Sequence, residues 1–167
     1  PNKLHYAHIA AWKRAYPEAT AWASPGVRKR AASQRIGVSF DADLGEEPDP
    51  AWQEDLDQII FRGSRLLEEI VFFQRRTRTV ILADLIENFE PAKLGRVHGL
   101  LARLAGVADP DGKTPADLRM TFWGRKRVAR ASLSRVLAWE PEKVILAHGR
   151  PYEREGVMEL QRAFRWL

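Results

Sequence analysis

The spacing of apolar and polar positions changes several times along the chain. Residues 4–16 read as a helix: Leu4, Ala7, Ala11 and Ala15 mark one side, and His5, His8, Ile9, Trp12 and Tyr16 mark the adjoining one. Pro17 ends it, because proline cannot donate to the helical ladder. Residues 19–22, ATAW, form a short buried-strand candidate. Pro25-Gly26 then turns the chain into a short helix over 27–33. Residues 41–50 carry Asp41, Asp43, Glu46, Glu47, Asp49, Gly45 and two prolines, and read as a loop. Three β segments follow: DLDQIIFRG, LLEEIVFFQ and RTVILAD. The last two are separated by Arg75-Arg76-Thr77, short enough for an antiparallel hairpin.

The second half turns helical. Residues 91–105 place Leu94, Val97, Leu101 and Leu104 at the spacing of an amphipathic helix. GVADPDGKTP is a polar loop, and residues 116–123 and 125–138 are two helices or one broken at Gly124. KVILAHG is a buried strand that ends at His148. Residues 154–167 close the chain as a helix with Val157, Leu160, Ala163, Phe164 and Leu167 inside. Strands mixed with helices in this order predict an α/β or α+β layered fold.

Composition narrows the possibilities. A chain of 167 residues fits one domain over 1–167, and 45% hydrophobic with 29% charged residues is a soluble globular balance. No apolar run approaches the roughly 20 residues of a membrane span, so no membrane partner is expected. Cysteine is absent, so a metal would be held by histidine, carboxylate or amide oxygen. That absence also fits a reducing, cytoplasmic setting. The net charge of +5 permits attraction to polyanions, and Arg119, Arg125, Lys126, Arg127 and Arg130 form the densest basic group. A mixed charged face is usually solvated surface, and nucleic acid is a minor reading.

Candidate chemistry sits at two strand ends. VILAD, Val80 to Asp84, and VILAH, Val144 to His148, echo each other, and open sheets place ligand sites at the carboxyl ends of strands. If the two strands run the same way, Asp84 and His148 converge. Each also has a plain structural role open to it, Asp84 as a helix cap and His148 as a turn residue. His5 and His8, three residues apart on one helix, would be surface neighbours able to reach one ion. The alternative is that His8 packs beside Trp12 while His5 faces solvent. His98 lies in mid-helix, away from any strand end, and reads as structural.

Taken together, a His-bearing segment entering a helix, a hairpin ending in Asp and a late strand ending in AHG resemble the metallo-β-lactamase-like hydrolase superfamily. More narrowly, PNKLHYAHIAAWKRAYPEA, EEIVFFQRRTRTVILADLIENF and VILAHG resemble a bacterial branch of it, a domain family of unknown function. The resemblance implies an αβ/βα sandwich with a metal cleft along one edge and one or two zinc or iron ions. It also implies first strands that would lie ahead of Pro1, so the chain reads as part of a larger domain. The superfamily motif His-x-His-x-Asp-His matches NKLHYAH only partly. Asn2 stands where the first histidine would open it, and the motif's Asp is missing. Asp84 matches the bridging aspartate, His148 the last histidine, and Gln74 the place of a middle histidine. The implied ligands are His5, His8, Asp84 and His148, with Asn2, Gln74 and Asn88 as supporting residues and one Zn or Fe ion as the cofactor. The favoured reading is a relative with a depleted metal site that lacks full hydrolase activity. The alternatives are a metal-dependent hydrolase of an ester, lactone, thioester or phosphodiester, and a basic nucleic-acid-binding domain. A small-molecule substrate and a homo-oligomer both stay open.

Overall fold

The computed structural model describes residues 2–167. Its centre is a four-stranded sheet of β3 (Leu56–Phe61), β4 (Glu69–Gln74), β5 (Thr79–Leu82) and β6 (Lys143–Leu146), in that order. β3 pairs antiparallel with β4, and β4 with β5 as the expected hairpin. β5 and β6 are parallel, in register from Thr79↔Lys143 to Leu82↔Leu146. A second, two-stranded parallel sheet joins β1 (Trp22–Ala23) to β2 (Ala42–Asp43).

Side chains alternate across a strand, so every second residue of the main sheet faces one side. Ile59, Phe61, Val71, Phe73, Val80, Leu82, Val144 and Leu146 share the face that forms the core. Against it lie α4 (Ala116–Met120), α5 (Lys126–Leu137) and α6 (Gly156–Ala163), through Leu118, Ala129, Val136, Leu160 and Ala163, with Phe122 and Phe164 beside them. Phe61 stacks on Phe164 at 5.2 Å, and Phe73 on Trp139 at 5.2 Å. Fully burying a side chain such as Phe61 is worth about 1.5–3 kcal/mol relative to exposure, and Trp139 is only partly buried. A smaller cluster of Tyr6, Ala23, Val27 and Ala31 joins α1 (Ile9–Ala15), β1 and α2 (Val27–Ser33). Among the described residues no helix is long and apolar enough to cross a membrane.

Several expected elements shift. The first helix begins at Ile9, not near Leu4, because residues 2–6 form a turn: Leu4 N–H donates to Asn2 Oδ1 at 2.8 Å and His5 N–H to Asn2 O at 3.3 Å. The ATAW strand moves to Trp22–Ala23, and the acidic stretch supplies its partner, Ala42–Asp43. α3 (Pro91–Ala105) is interrupted at Gly95, at φ 74° and ψ 171°. Most of its stripe points outward: Val97, Leu101 and Leu104 are 54–75% exposed, and Leu94 is half-buried. The buried residues of α3 are the small ones, Gly99 and Ala102, and across the kink Gly99 lies so close to the first turn that a Cβ there would be 2.9 Å from Pro91 O. The 116–138 region is two helices separated at Gly124, which has φ 73°.

Candidate metal centre

The register of β5 and β6 builds the site. Both strands leave the sheet at the same edge, Leu82 beside Leu146. Two residues further on, each delivers a side chain, Asp84 and His148. The turn at residues 2–6 brings His5 to the same point. His5 Nε2 lies 3.0 Å and His148 Nε2 2.9 Å from Asp84 Oδ1. The three donor atoms all lie within 4.8 Å of one another, and the two imidazole rings are 5.3 Å apart. Asp84 is buried, whereas the side chains of His5 and His148 are 31% and 35% exposed. The cluster is therefore anchored from inside and open to a ligand from outside.

This donor set fits a divalent ion. Two imidazoles and a carboxylate are the three-ligand type of a catalytic zinc site, whose fourth position is left to water or substrate. Ligand atoms about 2.0–2.2 Å from a tetrahedral ion lie roughly 3.3–3.6 Å apart, a small adjustment from the spacing present. Asp84 Oδ1 lies within hydrogen-bond distance of both imidazoles, so the buried carboxylate is not left without partners.

Further polar residues surround the three candidate ligands. Asn2 is fully buried. Its Nδ2 donates to Asp84 Oδ2 and to Glu69 Oε2, each at 2.7 Å. Glu69, equally buried, also accepts from the N–H groups of Ala83 and Asp84, at 2.7 and 2.8 Å. Burial pushes the Glu69 carboxyl above the usual carboxylate range, and the N–H donors oppose that rise. Asn88 holds the opposite side. Its N–H donates to His148 O at 3.0 Å, and its side chain bonds Asp109, Arg150 O and the N–H of Gly112.

A cleft of about 530 Å³ opens beside the cluster, lined by Leu4, Leu66, Leu67, Val107 and Leu118 together with Asp84, Glu87 and Asp117. Burial raises the Glu87 carboxyl, opposed by His148 and reinforced by the Asp84 and Asp117 charges.

Two candidates lie elsewhere. His8 is the exposed residue at the amino end of α1 and stands outside the cluster, because the helix starts after it and not before His5. Gln74 is at the far end of β4, where its Oε1 accepts from Thr77 N–H at 2.7 Å and so closes the hairpin turn. The residue of β4 that meets Asp84 is Glu69. Its signal was present in the sequence: it keeps the period-2 spacing of the buried Val71 and Phe73 and so had to face inward. His98 is exposed on α3.

A scan against protein-family models and a search of curated proteins both found no match. Solved structures do match. A crystal structure of the metallo-β-lactamase DIM-1 exposed to ceftazidime superposes with a TM-score of 0.58 at 13% identity, covering 96% of this chain and 62% of that one. The metallo-β-lactamase TMB-1 gives 0.57 at 13% identity, with 93% and 61% covered. The metallo-β-lactamase of Pontibacter korlensis gives 0.55 at 12%, with 94% and 62% covered. The chain thus has a metallo-β-lactamase type of fold and spans about 62% of the length of these structures.

Proposed function

We propose that this chain is a single-metal relative of the metallo-β-lactamases, holding one zinc or iron ion through His5, Asp84 and His148. The observation that carries the reading is the convergence of three donor atoms within 4.8 Å at the carboxyl ends of two parallel strands. The superfamily's second-metal aspartate has no counterpart in NKLHYAH, and His8 stands apart, which favours one ion over two. Full two-metal hydrolase activity is accordingly not expected. We take the αβ/βα sandwich as part of the same reading. It is supported by the apolar row Phe72, Ile81 and Ile145 on the second face of the sheet, where Ile145 is 47% exposed.

A bound divalent ion would supply Lewis acidity and acidify a water. The chain's own residues would do the rest. Asp84 and the imidazoles hold the ion, the leucine-lined cleft seats an apolar group and keeps bulk water away, and Glu87 is the carboxyl placed to hold a proton. The cleft and Glu87 favour residual metal-assisted hydrolysis of a small ester, lactone or thioester as the second reading.

The test is metal content and stability. Protein purified without chelator should carry zinc or iron, and zinc at about 100 times its dissociation constant should stabilise the fold by roughly 2.7 kcal/mol. That gain should vanish in His148→Ala. A content below about a tenth of an equivalent, with no rebinding, would sink the reading.

A further inference from the structure

Glu69 is a charged side chain at a strand position where the buried neighbours, Val71 and Phe73, are apolar. A buried carboxylate is costly unless its lone pairs are filled. Here they are filled by three N–H groups, from Ala83, Asp84 and the Asn2 amide. All three lead to the same place. Two belong to the turn that carries Asp84, and the third is the amide that also grips Asp84 Oδ2.

We propose that Glu69 is the positioning residue of the metal centre, acting through Asn2 and the Ala83–Asp84 backbone to aim Asp84 Oδ1 at His5 and His148. This inference rests on the metal-centre reading above. A carboxylate on a short stem rotates about its last bond, and an unpinned Asp84 would exchange its two oxygens. The Asn2 amide removes that freedom by holding Oδ2, which leaves Oδ1 for the imidazoles. Asn2 is suited to the task because its NH2 group has two hydrogens, one for each carboxylate. Its orientation follows from the network: Nδ2 faces two carboxylates and Oδ1 accepts from Leu4 N–H. That last bond closes the turn presenting His5, so one amide orders two of the three ligands.

The substitution that isolates this role is Glu69→Gln, which keeps the shape but brings an NH2 group against N–H donors. Outer partners of metal ligands typically change affinity 10–100-fold when removed. Cobalt(II) titration of the full chain, read by its visible spectrum and by zinc competition, measures this without any assay of activity. Glu69→Gln and Asn2→Ala should each weaken binding by about 10–100-fold and shift the cobalt band. The double variant should lose less than the two losses added together, since both act on one carboxylate. Leu160→Ala, in the core away from the site, should lower stability and leave affinity and spectrum unchanged. Should Glu69→Gln not fold, Asn2→Ala carries the same test. Affinities within about twofold of the parent, with an unmoved spectrum, overturn the positioning role and leave the metal centre standing. Failure of the parent chain to bind cobalt or zinc overturns the metal centre, and the positioning role with it.

Discussion

Gly149 follows His148 with φ +94°, a conformation that L side chains rarely adopt. A Cβ there would sit 2.0 Å from Asn88 O and 2.2 Å from its carbonyl carbon, both backbone atoms that have nowhere to move. The crossing of these two segments is also held by the His148 O and Arg150 N bonds to Asn88. Gly149→Ala is therefore expected to cost about 2 kcal/mol or more, through strain at a special backbone position. It should weaken metal binding as well, by displacing His148; thermal unfolding and cobalt titration read the two effects. Asp84 and His148 were legible in the sequence because each ends a matching apolar run, and strand ends are where rigid sites form. Glu69 was less visible, since Glu68 and Glu69 are adjacent where β4 opens and only the period-2 spacing to Val71 and Phe73 tells which of them faces inward. The role of the Asn2 amide was hidden because it depends on a partner 67 residues away. Gln74 sits at the hairpin end of β4, away from the candidate site, because position along the sequence of a strand does not say which end lies there.

At the scale of elements, α3 separates periodicity from burial. Its apolar stripe has helical spacing, yet Leu104 is 75% exposed and Val97 69%. The residues it buries are the small ones, Gly99 and Ala102, and a glycine at 99 permits the close approach to Pro91 across the kink at Gly95. Sequence spacing identifies a face but not which face meets the core when small residues occupy the opposite side. Leu104→Lys should accordingly change stability by no more than about 0.5 kcal/mol, as surface substitutions do. Leu160→Ala on α6, where Leu160 is fully buried, should cost about 2–5 kcal/mol. Denaturant midpoints of the two variants at constant m decide the matter. The hairpin, α2, the break at Gly124 and the inward face of α6 were readable, since each combines a clear period with Gly or Pro punctuation. The residue 2–6 turn was not, because a side-chain oxygen, invisible to periodicity, replaces the first helical bonds.

For the molecule as a whole, charge placement links the closing helix to the site. Arg162 and Arg165, in and just after α6, both grip the Asp111 carboxylate, at 2.9 and 2.7 Å. Arg162 also reaches Gly112 O and the Tyr152 hydroxyl. Gly112 N–H donates in turn to Asn88, which bonds the carbonyl of His148. The α6 end and the edge that carries the candidate metal site thus share one polar chain of contacts, which no reading of local sequence would connect. On α5, Lys126 and Arg130 bond the Trp166 and Leu167 carbonyls, which ties that helix to the closing segment as well. The Arg165 side chain foremost, with Arg162, holds the Asp111 carboxyl below its ordinary value of 3.8. A carboxyl lowered in the folded state binds fewer protons there than in the unfolded chain. Its contribution to stability is therefore complete above the unfolded value and is lost as pH falls through the lower folded one. The pair is substantially exposed, so the effect is modest and screened by salt. Asp111→Asn should lower the unfolding temperature relative to the parent by a constant margin from about pH 7 to pH 5, and that margin should close below about pH 4. Parallel melts across that range test the sign directly: a margin that widened in acid would mean that the aspartate opposes folding when charged, and the Arg162–Asp111–Arg165 contact would not be a stabilising link between α6 and the edge that carries the candidate site.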